Sequence, residues 1–216
     1  MARPLLQVAL DQAELPAALK AAEVVAAEVD VIEAGTPLCF SVGVQAVASL
    51  RKHFPQHFIV ADFKAADGGA GLAEMAFSRG ATWLTIISCA LTAMKASLPV
   101  ARKFSGDIQI ALYGEWTMKQ AEEWKHNGLK QAIYHRAFDA EAAGEDWSER
   151  DLERIKGLAS MGFEVSVTGG LKHPEDLSRF RGIPVKCFIM GRSLCESEDP
   201  AATARGFRAA ITRDWS

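Results

Sequence analysis

The chain has 216 residues, of which 49% are apolar and 24% charged, and its formal net charge is −3. That balance excludes a broad attraction to nucleic acid or anionic membranes, and no apolar run reaches the ~20 residues that a membrane span needs. The length suits one α/β domain over residues 1–216 better than two, since barrels and sandwiches run ~200–250 residues as one domain.

The opening Met1-Ala2-Arg3-Pro4 has no signal-peptide pattern, and Asp11 and Glu14 soon follow it. Cys39, Cys89, Cys187 and Cys195 show neither a CxxC pair nor zinc spacing. A cytoplasmic protein with reduced thiols is expected.

Short apolar runs alternate with helix-like segments along the whole chain. Leu5 to Leu10 is the first run, and the Ala-rich stretch Glu14 to Glu28 is helical in pattern. Val29 to Ile32 is the second, ending at Glu33, Ala34 and Gly35, with a helix expected near 41–52. Phe58 to Ala61 is the third, followed by a helix from Gly71 to Arg79 with Gly80 as its stop. Trp83 to Ile87 and Ile108 to Leu112 are the fourth and fifth, with helices over Met94 to Phe104 and about 117–126. Ala132 to Tyr134 is the sixth run, and a helix over Asp151 to Ser160 stops at Gly162. Glu164 to Val167 is the seventh, followed by a short helix from Pro174 to Phe180. Cys187 to Met190 is the eighth, and 200–213 is a closing helix.

Eight strand–helix units point to a (β/α)8 barrel, the TIM-barrel class. A doubly wound open sheet is the other architecture with this alternation. Eight regular units with no obvious edge strand favour the barrel.

In a barrel the catalytic face lies at the C-terminal ends of the strands. Asp11, Glu33, Asp62, Lys64, His135, Arg136, Thr168 and Arg192 all fall at or just past such an end. Singly, each has a plain reading: Asp11 or Thr168 can cap the next helix, and His135 can be a half-buried core histidine. Eight at the same place argue for one shared site.

The densest stretch is Ile59-Val60-Ala61-Asp62-Phe63-Lys64-Ala65-Ala66-Asp67-Gly68-Gly69. Asp62 and Lys64 alternate with Ala61 and Phe63, so a strand continuing to 64 puts both on one face. The loops after strands seven and eight carry Gly169-Gly170 and Gly191-Arg192. Barrel enzymes often bind phosphate there; glycines let backbone N–H groups approach, and Arg192 offers a bidentate fork.

These segments resemble the orotidine monophosphate decarboxylase superfamily, and most closely its 3-keto-L-gulonate 6-phosphate decarboxylase branch. The likeness is carried by Asp11, by Glu33 in Asp-Val-Ile-Glu-Ala-Gly-Thr, and by Asp62-x-Lys64-x-x-Asp67. Tyr-His-Arg at 134–136, Val-Thr-Gly-Gly at 167–170 and Gly-Arg at 191–192 continue it, so that it spans residues 5 to 213. The resemblance implies Mg²⁺ held near Glu33 and Asp62, and a sugar phosphate bound by Asp11, Glu33, Asp62, Thr168, Gly170, Gly191 and Arg192. It implies decarboxylation of a β-keto acid through an enediolate, with Lys64, Asp67 and His135 catalytic, and a place in ascorbate catabolism. It also implies a homodimer in which Asp67 reaches the neighbouring subunit's site.

Two positions depart from that pattern. The branch carries a glutamate on strand five where this chain has Ala111, and an arginine where it has Phe138. Slow turnover is therefore expected, unless another group such as Glu115 compensates. Two alternatives stay open. One is an aldolase of the hexulose-6-phosphate synthase kind, which uses the same enediolate with formaldehyde. The other is a sugar-phosphate-binding protein with a weakened site. His53, His57, His126 and His173 are read as background, Trp83 and Trp124 as packing residues, Trp116 as a candidate for the mouth, and Cys89 as no nucleophile.

Overall fold

The computed structural model describes residues 3–136, 144 and 146–215. Eight parallel strands close into a barrel in chain order, each pairing with its sequence neighbours and the eighth with the first. The strands are β1 (Leu5–Leu10), β2 (Val31–Ala34), β3 (Phe58–Ala65), β4 (Trp83–Ile87), β5 (Asp107–Leu112), β6 (Gln131–His135), β7 (Glu164–Thr168) and β8 (Val185–Met190). The helices around them are α1 (Leu15–Val25), α2 (Thr36–Val42), α3 (Gln45–His53), α4 (Gly69–Phe77), α5 (Leu91–Lys103), α6 (Met118–His126), α7 (Glu149–Ser160), α8 (Arg192–Cys195) and α9 (Pro200–Asp214). A 3-10 helix, Pro174–Phe180, stands between β7 and β8.

Period two sorts every strand into an inner and an outer set. On β1, Leu6, Val8 and Leu10 belong to the apolar layer shared with the helices, while Leu5 and Ala9 join the cluster of the barrel interior. Val31, Val60, Trp83, Ile133, Cys187 and Ile189 complete that interior cluster. Gln7, Gln109 and Gln131 lie fully or almost fully buried, and Gln109 donates to Gln131 Oε1 at 3.0 Å. The same alternation carries Glu33, Asp62, Ala111, His135 and Thr168 onto the cavity at the C-terminal mouth. A two-residue step that begins in the apolar interior thus ends in titratable groups.

Three departures from the sequence expectation have local causes. The helix expected near 41–52 is α3, which starts at Gln45, and α2 before it was not expected; Gly43 takes φ +71 between them and closes α2 with an N–H to Cys39 O bond of 2.9 Å. β3 runs four residues past Ala61, with a register irregularity against β4 between Ala61 and Ala65. Arg192 is not a loop residue but opens the short helix α8. Most of the sixth loop, Phe138 included, lies outside the described residues.

Candidate active site

A cavity of about 820 Å³ opens at the C-terminal mouth. Asp11, Glu33, Asp62, Lys64, His135, Thr168, Gly170, Gly191 and Arg192 all stand on its wall. Asp67 does not: it is exposed on the loop beyond β3.

The β3 irregularity positions the charged pair. Lys64 sits at φ +45, a left-handed conformation uncommon outside glycine. Its backbone N–H leaves the regular ladder and donates to Thr85 Oγ1 at 2.9 Å. Bulges of this kind re-aim side chains beside functional sites. The Lys64 ammonium donates to Asp62 Oδ2 and to Thr36 Oγ1. Thr36 in turn donates to Asp62 Oδ2 at 2.6 Å, and Thr85 donates to Asp62 Oδ1 at 2.7 Å. Asp62 is therefore fixed through both oxygens. Glu33, buried beside it, accepts from Gln7 Nε2. Gly35 makes room for Asp11, since any side chain there would collide with the Asp11 carboxylate.

The electrostatics follow from three carboxylates, Asp11, Glu33 and Asp62, that all feel one ammonium, Lys64, with Arg192 also acting on Asp11. Burial, and then the nearby Asp62, hold Glu33 well above the usual carboxylate range, with Lys64 pulling the other way. Burial and Asp62 also raise Asp11. Burial pulls Lys64 down, but Asp62 and its other neighbours outweigh this and hold the ammonium above its ordinary value. His135 is pushed down to about 4, first by burial and then by Lys64, so its imidazole is neutral at physiological pH. Among the described residues its Nδ1 has no hydrogen-bond partner.

Tyr113 stands on the same wall and was missed in the sequence. Its ring packs on His135 with centroids 4.7 Å apart, and Lys64 Nζ lies 5.8 Å from its ring centroid. Burial pushes its hydroxyl up to about 12, so it stays a neutral phenol. Only its place two residues past Ala111 on an alternating strand hinted at it.

The segments after β7 and β8 bring Gly169, Gly170, Lys172, Gly191, Arg192 and Ser193 to the same wall. Gly169 and Gly170 take φ +96 and +63, and a side chain at either would strike Arg136. The pair is thus demanded by turn geometry and by Arg136 packed behind it, whatever the loop binds. Trp147 Nε1 donates to Gly169 O at 3.0 Å and fastens the loop from outside. The Thr168 hydroxyl donates to Ile189 O at 3.1 Å.

Two expectations are corrected. Trp116 does not line the mouth: it is buried, with the Arg154 guanidinium 3.8 Å from its ring centroid and with Trp124 and Tyr134 as ring neighbours. Glu115 is exposed and is not on the cavity wall, so it does not replace the carboxylate missing at Ala111. Cys89 is exposed and likewise off the wall.

Among the described residues, no three His, Cys, Asp or Glu side chains gather as a closed metal site. The donor chemistry of Glu33 and Asp62 still fits Mg²⁺. Both are buried oxygen donors, carboxylates outnumber the one ammonium, and Mg²⁺ keeps several positions for water and substrate.

A sequence model of the orotidine 5'-phosphate decarboxylase / HUMPS family matches residues 4–207. The 3-keto-L-gulonate-6-phosphate decarboxylase UlaD of Salmonella typhi is 46% identical over 216 residues, covering all of both chains. The crystal structure of KGPDC from Streptococcus mutans in complex with a sugar phosphate superposes with a TM-score of 0.96 at 47% identity, over 99% of each chain. The 3-keto-L-gulonate-6-phosphate decarboxylase of Vibrio cholerae gives a TM-score of 0.93 at 45% identity over the full length of both. These full-length relatives are named as decarboxylases acting on a sugar phosphate. A match of this extent, on the same barrel, makes the assignment: the chain belongs to the orotidine 5'-phosphate decarboxylase / HUMPS family.

Proposed function

We propose that the chain decarboxylates 3-keto-L-gulonate 6-phosphate to L-xylulose 5-phosphate and CO2, with Mg²⁺ as cofactor. The observation that carries this is a single cavity whose wall combines two unlike groups: Glu33, Asp62, Lys64 and His135 from β2, β3 and β6, and the glycine loops with Arg192 after β7 and β8. A sugar phosphate spans them, with its phosphate at Gly170, Gly191 and Arg192 and its reacting carbons at Lys64. Asp11 and Thr168 face the chain between.

In the reaction the bond from the carboxylate to the adjacent carbon breaks. Its electron pair moves toward the neighbouring ketone oxygen and leaves an enediolate. Lys64, held as an ammonium, faces that growing oxyanion; such pre-set charge supplies much of a site's rate enhancement. Glu33 and Asp62 would hold Mg²⁺, which when bound supplies further positive charge at the same oxygens. The enediolate then takes a proton at carbon. His135 is neutral, so it is not itself the proton source; from the cavity wall it holds the water that delivers the proton.

Asp67, exposed and away from its own cavity, suits the homodimer reading, in which it serves the partner's site. Phe40 on α2, 83% exposed, is an apolar surface that a second copy would cover. Among the described residues no helix is long and apolar enough to cross a membrane. The aldolase is the second reading, and Ala111 is the residue that favours it.

The test sets CO2 release from 3-keto-L-gulonate 6-phosphate beside formaldehyde condensation, each with Mg²⁺ and with a chelator. Mg²⁺-dependent CO2 release is expected. Condensation without CO2 release would select the aldolase. Sugar-phosphate binding with neither reaction would select the binding protein.

A further inference from the structure

Ala111 and Tyr113 are what β5 and its end contribute to the cavity wall. The first presents a methyl group, so the wall's polar contact with a ligand falls to the second. Tyr113 is held firmly in place. Its N–H donates to Ala111 O at 3.1 Å, and its carbonyl accepts from Ser88 Oγ at 3.0 Å. The ring rests on His135 at an angle of 42°, and Lys64 Nζ lies 5.8 Å from the ring centroid. An ammonium has only donors, so toward Lys64 the phenol oxygen can only accept, which leaves its own O–H to donate into the cavity.

We propose that Tyr113 is a substrate-contacting residue: its hydroxyl donates a hydrogen bond to an oxygen of the bound sugar phosphate beside Lys64 and His135. The phenol occupies the wall that Ala111 leaves without a polar side chain. It selects ligands with an oxygen at that place, since an unmet donor there discriminates against analogues lacking the partner. The identity of the substrate rests on the function proposed above; the contact itself requires only a sugar phosphate in this cavity.

Tyr113→Phe keeps the ring on His135 and removes only the hydroxyl. D-ribulose 5-phosphate, a pentulose phosphate like the proposed product, is the binding probe, and CO2 release reports turnover. The variant should keep its Tm and its affinity for inorganic phosphate. It should bind D-ribulose 5-phosphate about tenfold more weakly, the usual net worth of one hydrogen bond. Its kcat/KM should fall by a similar factor or more. Pentulose phosphate affinity within twofold of the unmodified protein overturns the contact. If the phenol acted only by steadying Lys64, adding Tyr113→Phe to Lys64→Ala would cost no further affinity for the probe, and that result also overturns it. Loss of probe affinity in an enzyme whose unmodified form releases no CO2 sustains the contact while the decarboxylase reading fails.

Discussion

Glu33→Gln should make the protein more stable and nearly inactive. Glu33 is 6% exposed, and burial holds its carboxyl well above the ordinary range. Between the unfolded glutamate value of 4.5 and the raised folded value, the folded chain keeps a proton that the unfolded chain has released. Stability contributed by this group is therefore lost as pH rises through that window. Gln removes the charge, keeps the shape, and can still accept from Gln7. An effective penalty of several kcal/mol per buried ion, offset by attraction to one ammonium, leaves a gain of ~1–3 kcal/mol at neutral pH. Each kcal/mol moves Tm by ~2–4 °C in a chain of this size, so a rise of about 5 °C is expected. Scanning calorimetry of the metal-free protein from pH 4 to 8 is the assay. The gain should grow with pH and vanish near the unfolded glutamate value. In parallel, calorimetry with Mg²⁺ should show weakened binding, and kcat for CO2 release should fall by ~10² or more. A Tm that is unchanged or lower at pH 8, or an unaltered Mg²⁺ affinity, would refute the reasoning.

Lys64→Ala removes the cation facing the developing oxyanion. At ~4 Å and an effective dielectric of ~20 such a charge is worth ~4 kcal/mol, so kcat should fall up to ~10³-fold with a smaller change in KM, read by steady-state CO2 release. His135 is half-buried and neutral with its value lowered to about 4, so its stability contribution is present at neutral pH and is lost as pH falls through the window from 6.5 to 4. His135→Asn should flatten the Tm–pH curve in that window and slow CO2 release; an unchanged slope counts against the assignment. Lys64→Ala and Asp67→Ala chains, each inactive alone, should recover activity when mixed and allowed to exchange; no recovery with proven exchange would place Asp67 outside the partner's site.

The barrel was legible because its cause is repetitive. Each of the eight units carries its own apolar run and its own breaker, so a boundary error of a few residues in one unit does not disturb the count. The errors fell where a single residue overrides a pattern. Gly43 ends α2 with a positive φ and so sets the start of α3 at Gln45, some residues later than the helix expected from about 41, while the seven-residue α2 before it was not expected at all. Lys64 carries β3 through a conformation that no propensity favours at a lysine, held by the Thr85 hydroxyl on its N–H and by Asp62 on its ammonium.

The site shows a sharper division. Charged residues at strand ends are visible in a sequence because charge at the end of an apolar run needs an explanation. Of the eight strand-end residues, Asp11, Glu33, Asp62, Lys64, His135, Thr168 and Arg192 accordingly stand on one cavity wall, while Arg136 packs behind Gly169 and Gly170 instead. The groups that fix them are neutral and unremarkable by composition: Gln7 under Glu33, and Thr36 and Thr85 on the two oxygens of Asp62. A threonine on a strand satisfies β-propensity whether or not it holds a carboxylate, so nothing along the chain separates the two cases. Tyr113 belongs with them. As a residue type it suits a half-buried strand end, and only the packing of β3, β5 and β6 brings it to Lys64 and His135. The loss of a carboxylate at Ala111 therefore cannot be weighed at that position alone. What the wall can still donate depends on the neighbour two residues on, whose ring stands beside Lys64 and His135 on the same wall.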